Sequence, residues 1–328
     1  MRGSGSIARA AIGIAVSVAA IALVLRSVDL AAALEALRRA NLAWVALLIA
    51  LIAVDVVLRA ARWRLLLRPV ADVPFRSTLS ALLVGYLANN VLPARLGELV
   101  RSHVLGDRTG ISRSTVLGTV VVERIIDTAV VVAIAATAIL VLSVRGIVAS
   151  GVLVGLALTG LLVLLVAAGI LAHRLPGADR ATSMLERWPQ VRSNLARLRE
   201  GLAVAGRPRT LVSAVVISLG SWSCAVLGFA AAGQAVGLEP TIGQAALLSA
   251  GVNLATAVPS APGYVGTFEL AAIAIAASVG IPEAPALAMA LLLHAVSLLL
   301  ISASGAAVVA RMGLVNLRSP AGEAPQPR

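Results

Sequence analysis

The sequence contains no lysine; all 27 basic residues are arginine. There is one cysteine, Cys224, so no intrachain disulfide can form. The three histidines are dispersed and no thiol pair exists, so no metal-ligand spacing is present. No glycine-rich loop of the ATPase type occurs, so no cofactor is expected and any transport must be passive, ion-coupled or driven by a partner. Charged residues make up only 13% of the chain and aromatic residues 3%. A net charge of +12 could point to nucleic acid in a soluble protein. Here the arginines cluster between apolar runs, which is how membrane orientation is set, and no nucleic-acid partner is expected.

What the sequence has is apolar surface. Of 328 residues, 59% are hydrophobic, and the mean hydropathy is +0.98. A soluble domain of this length cannot bury so much. A spanning helix needs roughly 20 mostly apolar residues. Runs of that kind occur at 7–25, 42–58, 114–142, 147–172, 209–236 and 285–310. They are continuous and rich in Ala and Leu, without the alternation of a membrane barrel. Helices satisfy their own backbone in hydrocarbon, so the fold class is all-α and polytopic. Arg2 and Arg9 precede the first run, but Leu23–Arg26 offers no small-residue cleavage site, so an uncleaved first helix is expected.

The arginine census sets the expected orientation in a bacterial-type cytoplasmic (inner) membrane. Arg59, Arg62, Arg64, Arg68 and Arg76 follow the second run, eight more lie from Arg174 to Arg209, and Arg311, Arg318 and Arg328 close the chain. These segments, and both termini, should be cytoplasmic. Arg26, Arg38 and Arg39 dissent and are outweighed. Two apolar segments do not read as simple spans. Thr78–Val104 breaks at Asn89-Asn90-Val91-Leu92-Pro93-Ala94-Arg95-Leu96-Gly97-Glu98 and has arginines on both flanks. Ile242–Gly280 breaks at Asn253 and again from Pro259 to Gly266. The first is expected to be a re-entrant helical hairpin; parity places both ends of the second outside, whether it is one hairpin or two full spans, and the expectation is about six full spans plus two re-entrant hairpins. The halves 42–142 and 209–310 then form an inverted repeat within one membrane domain, 1–312. Matching broken helices in inverted halves point to a transport site. Asp29–Ala40 reads as a short amphipathic helix. In the cytoplasmic loop 174–208, Met184, Trp188, Val191, Leu195, Leu198 and Leu202 form a stripe that suits the anionic inner leaflet; a coiled-coil contact is the weaker reading. Residues 313–328 read as a disordered tail.

The charges within these segments are the candidate chemistry. Glu123 lies nine residues inside Ser114, or roughly 13 Å along a helix, near the middle of the hydrocarbon. Each charge there costs at least about 2.5 kcal/mol. Glu123, Arg124 and Asp127 fall on one face, which must turn towards protein or water. Arg95, Glu98 and Arg101 share another face. Packed together, the two trios would be neutral, either locking hairpin to helix or yielding arginine forks to a phosphate. Arg95, Arg101 and Arg124, with Asn89, Asn90 and Asn253, are therefore the candidate headgroup ligands; the alternative role of the asparagines is to cap freed helix ends. Glu98, Glu123, Asp127 and Glu269 would balance charge or couple protons. Pro93, Gly97, Pro259, Pro262, Gly263 and Gly266 would break the helices. His294 reads as a hydrogen-bonded packing residue, and His103 lies near the inner interface.

Three stretches together resemble a known family: Asn90–Arg101, Val122-Glu123-Arg124-Ile125-Ile126-Asp127, and Pro259–Glu269. They resemble the lysylphosphatidylglycerol synthase transmembrane-region, or flippase-like, family, over about residues 10–312. The resemblance implies a lipid-handling membrane protein; in its best-known members this module moves an aminoacylated phospholipid between leaflets, beside a soluble aminoacyl-transferring domain. This chain is short after its last apolar run, so a form without that domain is expected and synthase activity is not carried over. The leading expectation is a translocator of an anionic lipid or polyprenyl-linked glycolipid and not an enzyme. The rivals are a membrane-embedded transferase or hydrolase using Glu98 or Asp127 as base, and a scaffold for an envelope-biosynthesis enzyme. Oligomeric state is not readable.

Overall fold

The computed structural model describes residues 16–26, 28–92, 96–146, 149–151, 154, 157, 161, 189–256 and 260–318. Every regular element among them is helical. Helix α1 (Val16–Arg26) meets α2 (Leu30–Arg38) at a bend of 89°. Asp29 caps α2, its side chain accepting from the Ala32 N–H at 3.0 Å, so the short amphipathic helix of the sequence reading is present. Four long helices follow among the described residues, each apolar enough to cross a membrane: α3 (Leu42–Leu67), α6 (Arg113–Leu142), α8 (Pro208–Ala235) and α11 (Glu283–Arg318). With α1 and α2 taken together as one bent span, the count is at most five. Most of the run 147–172, and the residues beyond 318, lie outside the described residues.

Between α3 and α6 the chain forms α4 (Phe75–Val91) and α5 (Gly97–Thr109). Helix α4 ends at Val91 and α5 begins at Gly97, on either side of the expected break. The two helices fold back on each other where they are thinnest. A Cβ on Gly97 would stand 2.1 Å from the Gly85 carbonyl oxygen, and one on Gly85 would meet Arg101 Cβ at 2.9 Å. Asn89 bridges the break, accepting from the Gly97 N–H at 2.7 Å. Pro93 and Arg95 lie outside the described residues.

Between α8 and α11 lie α9 (Ile242–Ala255), a 3-10 turn at Pro262–Tyr264, and α10 (Thr267–Ser278). Gly251 packs on Ile275, and Gln244 Nε2 donates to the Val279 carbonyl at 3.1 Å, so these helices are also antiparallel. Gly263 (φ 70°) and Gly266 (φ 85°) turn the chain, in a conformation that residues with a Cβ adopt at a cost. Gly266 also has no room for a side chain, since a Cβ would meet Ile21 Cγ1 at 2.6 Å. Pro259 is outside the described residues.

The halves interlock. Helix α3 runs along α8, α6 packs on α9 of the other half, and α11 packs on α4. Glycines permit close approach at these seams: Gly228 meets Leu48, and Gly305 meets Leu83 and Leu87. Helix α7 (Pro189–Leu202) docks on α6, with Gly201 against Gly118 and the Thr115 hydroxyl donating to Glu200 Oε2 at 3.1 Å. Met184 and Trp188, the first residues of its expected stripe, are not among the described residues. Large apolar side chains remain on the outside of the long helices, with Leu140, Leu299 and Val216 exposed by 79%, 72% and 61%. Such a surface requires lipid.

Candidate functional site

Helix α3 continues to Leu67, well past the apolar run that ends at Leu58. Asp55, Arg59 and Arg62 therefore stand on one helical face, four and three residues apart. Arg59 Nε donates to both oxygens of Asp55, at 2.9 and 2.8 Å. Ser221 of α8 donates to the same carboxylate. Arg62 is fully buried and forks onto Asp127, with Nη2 at 2.9 Å from Oδ2 and Nη1 on Oδ1. Its Nη2 also lies 3.3 Å from Glu123 Oε1. Ser218 contacts both Arg62 and Asp127, and the Trp222 indole N–H donates to Asp127 at 3.2 Å.

Glu123 has no exposed side-chain surface. From α5 it accepts Arg101, whose Nη1 lies 3.2 Å from both carboxylate oxygens. From its own helix it accepts Arg124 Nη2 at 2.7 Å. Two indoles complete the walls: Arg101 lies 4.8 Å over the Trp63 ring, and Arg59 lies 5.2 Å over Trp222. These cation–π faces help to offset the loss of water. The paired groups are thus four guanidiniums (Arg59, Arg62, Arg101, Arg124) and three carboxylates (Asp55, Glu123, Asp127), so the cluster carries one net positive charge.

This corrects the neutral pairing of trios read from the sequence. Arg101, Glu123, Arg124 and Asp127 do come together. Glu98, however, makes no ion pair among the described residues, and α3 supplies the remaining members instead. Arg59 and Arg62, counted in the sequence among the charges that set orientation, are helical instead, Arg62 buried and Arg59 largely covered by protein. The signal for them was Asp55, a lone acid inside an apolar run with arginines four and seven residues on.

Most of the cluster is sealed, but Arg124 is not. Its side chain is 40% exposed, whereas those of Arg62 and Glu123 have no exposed surface. Its Nε is buried without a hydrogen-bond partner among the described residues. It faces a cavity of about 490 Å³ lined by both halves of the chain. The polar lining includes Asp55, Arg59, Glu98, Arg124 and Asp127, with Asn89, Asn90 and Asn253. The remainder is largely apolar, including Leu48, Ile52, Val131, Phe229, Leu293 and Leu298. The asparagines also carry local bonds: Asn89 caps α5, Asn90 donates to Ser302 Oγ at 3.0 Å, and Asn253 donates to the Ser249 carbonyl at 3.3 Å.

Glu269 does not join the arginines. It lies in the first turn of α10, where its Oε2 accepts from the Gly266 N–H at 2.7 Å. Its Oε1 lies 2.6 Å from His294 Nδ1 on α11. His294 lines the cavity and stacks on Phe268 at 4.4 Å. The sequence reading of His294 as a hydrogen-bonded packing residue names no partner, since nothing in the sequence links positions 25 residues apart on different helices. His103 sits at the exposed end of α5, 3.2 Å from Asp107. There a hydrogen bond from Arg113 holds the Asp107 carboxyl below its ordinary range. No group of three or more metal-ligating side chains occurs among the described residues.

The family model described as the lysylphosphatidylglycerol synthase TM region matches residues 10–305. The chain belongs to that family. It is therefore a multi-pass membrane protein of a lipid-related family, and the buried cluster and cavity lie wholly within the matched region. No curated protein and no solved structure was found to match it.

Proposed function

We propose that this protein binds the phosphate-bearing headgroup of a membrane lipid, or of a polyprenyl-linked glycolipid, in the cavity beside Arg124 and carries it between leaflets of the cytoplasmic membrane. One observation carries the reading: a cationic cluster opens through the half-exposed Arg124 into a cavity that pairs a few polar side chains with a largely apolar remainder. An anionic headgroup would take the free Arg124 edge and reach Arg59, while its chains lie along the apolar lining. Arg101 holds Glu123 and so positions Arg124 rather than meeting the ligand. Phosphate suits the planar guanidinium fork.

The broken pairs α4/α5 and α9/α10 are read as re-entrant hairpins of an inverted repeat, entering from opposite sides of the membrane with both chain termini cytoplasmic. The reciprocal packing of α6 on α9 and α11 on α4 supports it. Cavity access would alternate as one half rocks against the other. Helix α7 would lie at the anionic inner leaflet, held by its glycine contact with α6. An enzymatic role is less well supported. Of its two candidate bases, Asp127 is held by Arg62 and Arg124, which leaves Glu98 as the one without an ion pair among the described residues.

The test is a leaflet-resolved lipid assay in proteoliposomes, comparing wild type with Arg124→Gln. Wild type should move an anionic phospholipid faster than empty liposomes, and Arg124→Gln should slow it at least tenfold. Movement no faster than in empty liposomes, across anionic and glycosylated headgroups, would contradict the reading. A new lipid product lost in Glu98→Gln would favour an enzyme instead.

A further inference from the structure

The second hairpin holds a group that lipid binding does not use. His294 presents both ring nitrogens to oxygen: Nε2 lies 2.7 Å from the Gly263 carbonyl, and Nδ1 lies 2.6 Å from Glu269 Oε1. A carbonyl can only accept, so Nε2 must carry a hydrogen. The short contact at Nδ1 needs a second hydrogen, on the ring or on the carboxyl. Either way the pair holds one proton more than a neutral imidazole beside a carboxylate. Among the described residues, the other hydrogen bond to Glu269 comes from the Gly266 N–H and falls on Oε2. Both side chains are buried, so an unpaired charge there would be costly.

We propose that Glu269 and His294 form a one-proton binding site that latches the tip of the second hairpin to α11, and that this site couples proton movement to the lipid cavity. The coupling rests on the translocator reading; the proton site does not. His294 faces the cavity and Glu269 lies behind it, so the imidazole is the route between them. When the proton leaves to water in the cavity, the pair goes from neutral to a single negative charge. The remaining ring hydrogen stays on Nδ1, facing the carboxylate, which is the stronger acceptor. Nε2 is then bare opposite the Gly263 carbonyl, and that bond is lost. Gly263 belongs to the turn whose Tyr264 lines the cavity, so release of the proton frees a cavity wall.

The cavity that His294 faces also holds Glu98, Arg124 and Asp127, from helices that are not among those packed on the pair. Of the elements packed on α10, α11 and the turn, α9 carries no titratable group. Helix α4 presents Tyr86 to the shared cavity, α8 presents Cys224, and the turn presents Tyr264. Helix α3 presents Asp55 and Arg59, which are bound to each other. The charged residues of α2, Glu35 and Arg38, are exposed, and Glu35 pairs with Arg39 just beyond the helix.

Two measurements test this. In the first, proteoliposomes holding an anionic phospholipid are given a one-unit pH gradient, with the membrane potential clamped. One proton per lipid biases the steady-state leaflet ratio by up to about tenfold. Wild type should shift several-fold and Glu269→Gln should not shift at all; a wild-type ratio indifferent to the gradient overturns the coupling while leaving the translocator reading intact. Absence of any lipid movement contradicts the translocator reading, and the proton site is then decided by the second measurement. That is ¹⁵N spectroscopy of the His294 ring in nanodiscs from about pH 5 to about pH 9, alongside thiol labelling of Ser260→Cys beside the tip. Nε2 should lose its proton as pH rises, with faster labelling in the same range. A ring that keeps one protonation state throughout, or a tip that labels at one rate, overturns the site.

Discussion

Arg124 and Glu123 are neighbours in sequence with opposite consequences for the fold. Removing the Glu123 charge leaves Arg62 and Arg101, both buried, short of an acceptor. Such an orphaned charge costs about 3–5 kcal/mol. Removing Arg124 leaves three guanidiniums facing three carboxylates, so the cluster becomes balanced. Glu123→Gln should therefore lower unfolding stability by about 3–5 kcal/mol, while the half-exposed Arg124→Gln should change it by about 1 kcal/mol or less. Denaturant titration followed by tryptophan fluorescence checks both, since Trp63 and Trp222 lie in the cluster. Equal losses would mean that Arg124 is a structural member and not the open edge. Much of this cluster was legible beforehand, because charges deep in an apolar run must share a face. Asp55, Arg59 and Arg62 were not, because hydropathy ended the helix where the first arginine appeared. Neutralisation by α6 lets α3 continue, and a single-helix reading cannot see a partner helix.

The paired short helices owe their form to glycine at the point of contact. At Gly97 a side chain would drive into the Gly85 carbonyl and the Asn89 side chain that caps α5. Gly97→Leu should part α4 from α5, cost about 1–3 kcal/mol or more, and move Arg101 off Glu123. Gly206, in a short turn before α8, has nothing within 4 Å of a built Cβ and a backbone any residue can adopt, so Gly206→Ala should be close to neutral. Thermal unfolding in detergent compares the two; equal shifts would contradict the packing argument. Both interruptions were readable from Asn, Pro and Gly clustered within apolar stretches. The use of Asn89 as a cap across the break was one of the readings the sequence left open. The pairing of Glu269 with His294 was not readable, since it depends on how α10 docks on α11.

The two halves of the chain meet at the cavity, and neither half lines it alone. Helices α3 to α6 bring the arginines, and α8 to α11 bring Trp222, Asn253, Phe268 and His294. The sequence suggested this arrangement through its repeated order of long helix, broken pair and long helix. The reciprocal seams could not be read from it, because they depend on glycine contacts between distant segments.

Cys224, the chain's single cysteine, stands on the wall of that cavity and offers a native probe of its occupant. The most direct measurement is the rate at which a bilayer-permeant thiol reagent labels it in nanodiscs of zwitterionic lipid, with and without added anionic phospholipid. Anionic lipid should slow labelling several-fold in wild type and leave Arg124→Gln unchanged. Equal protection in both proteins, or none in either, would contradict a headgroup site at Arg124.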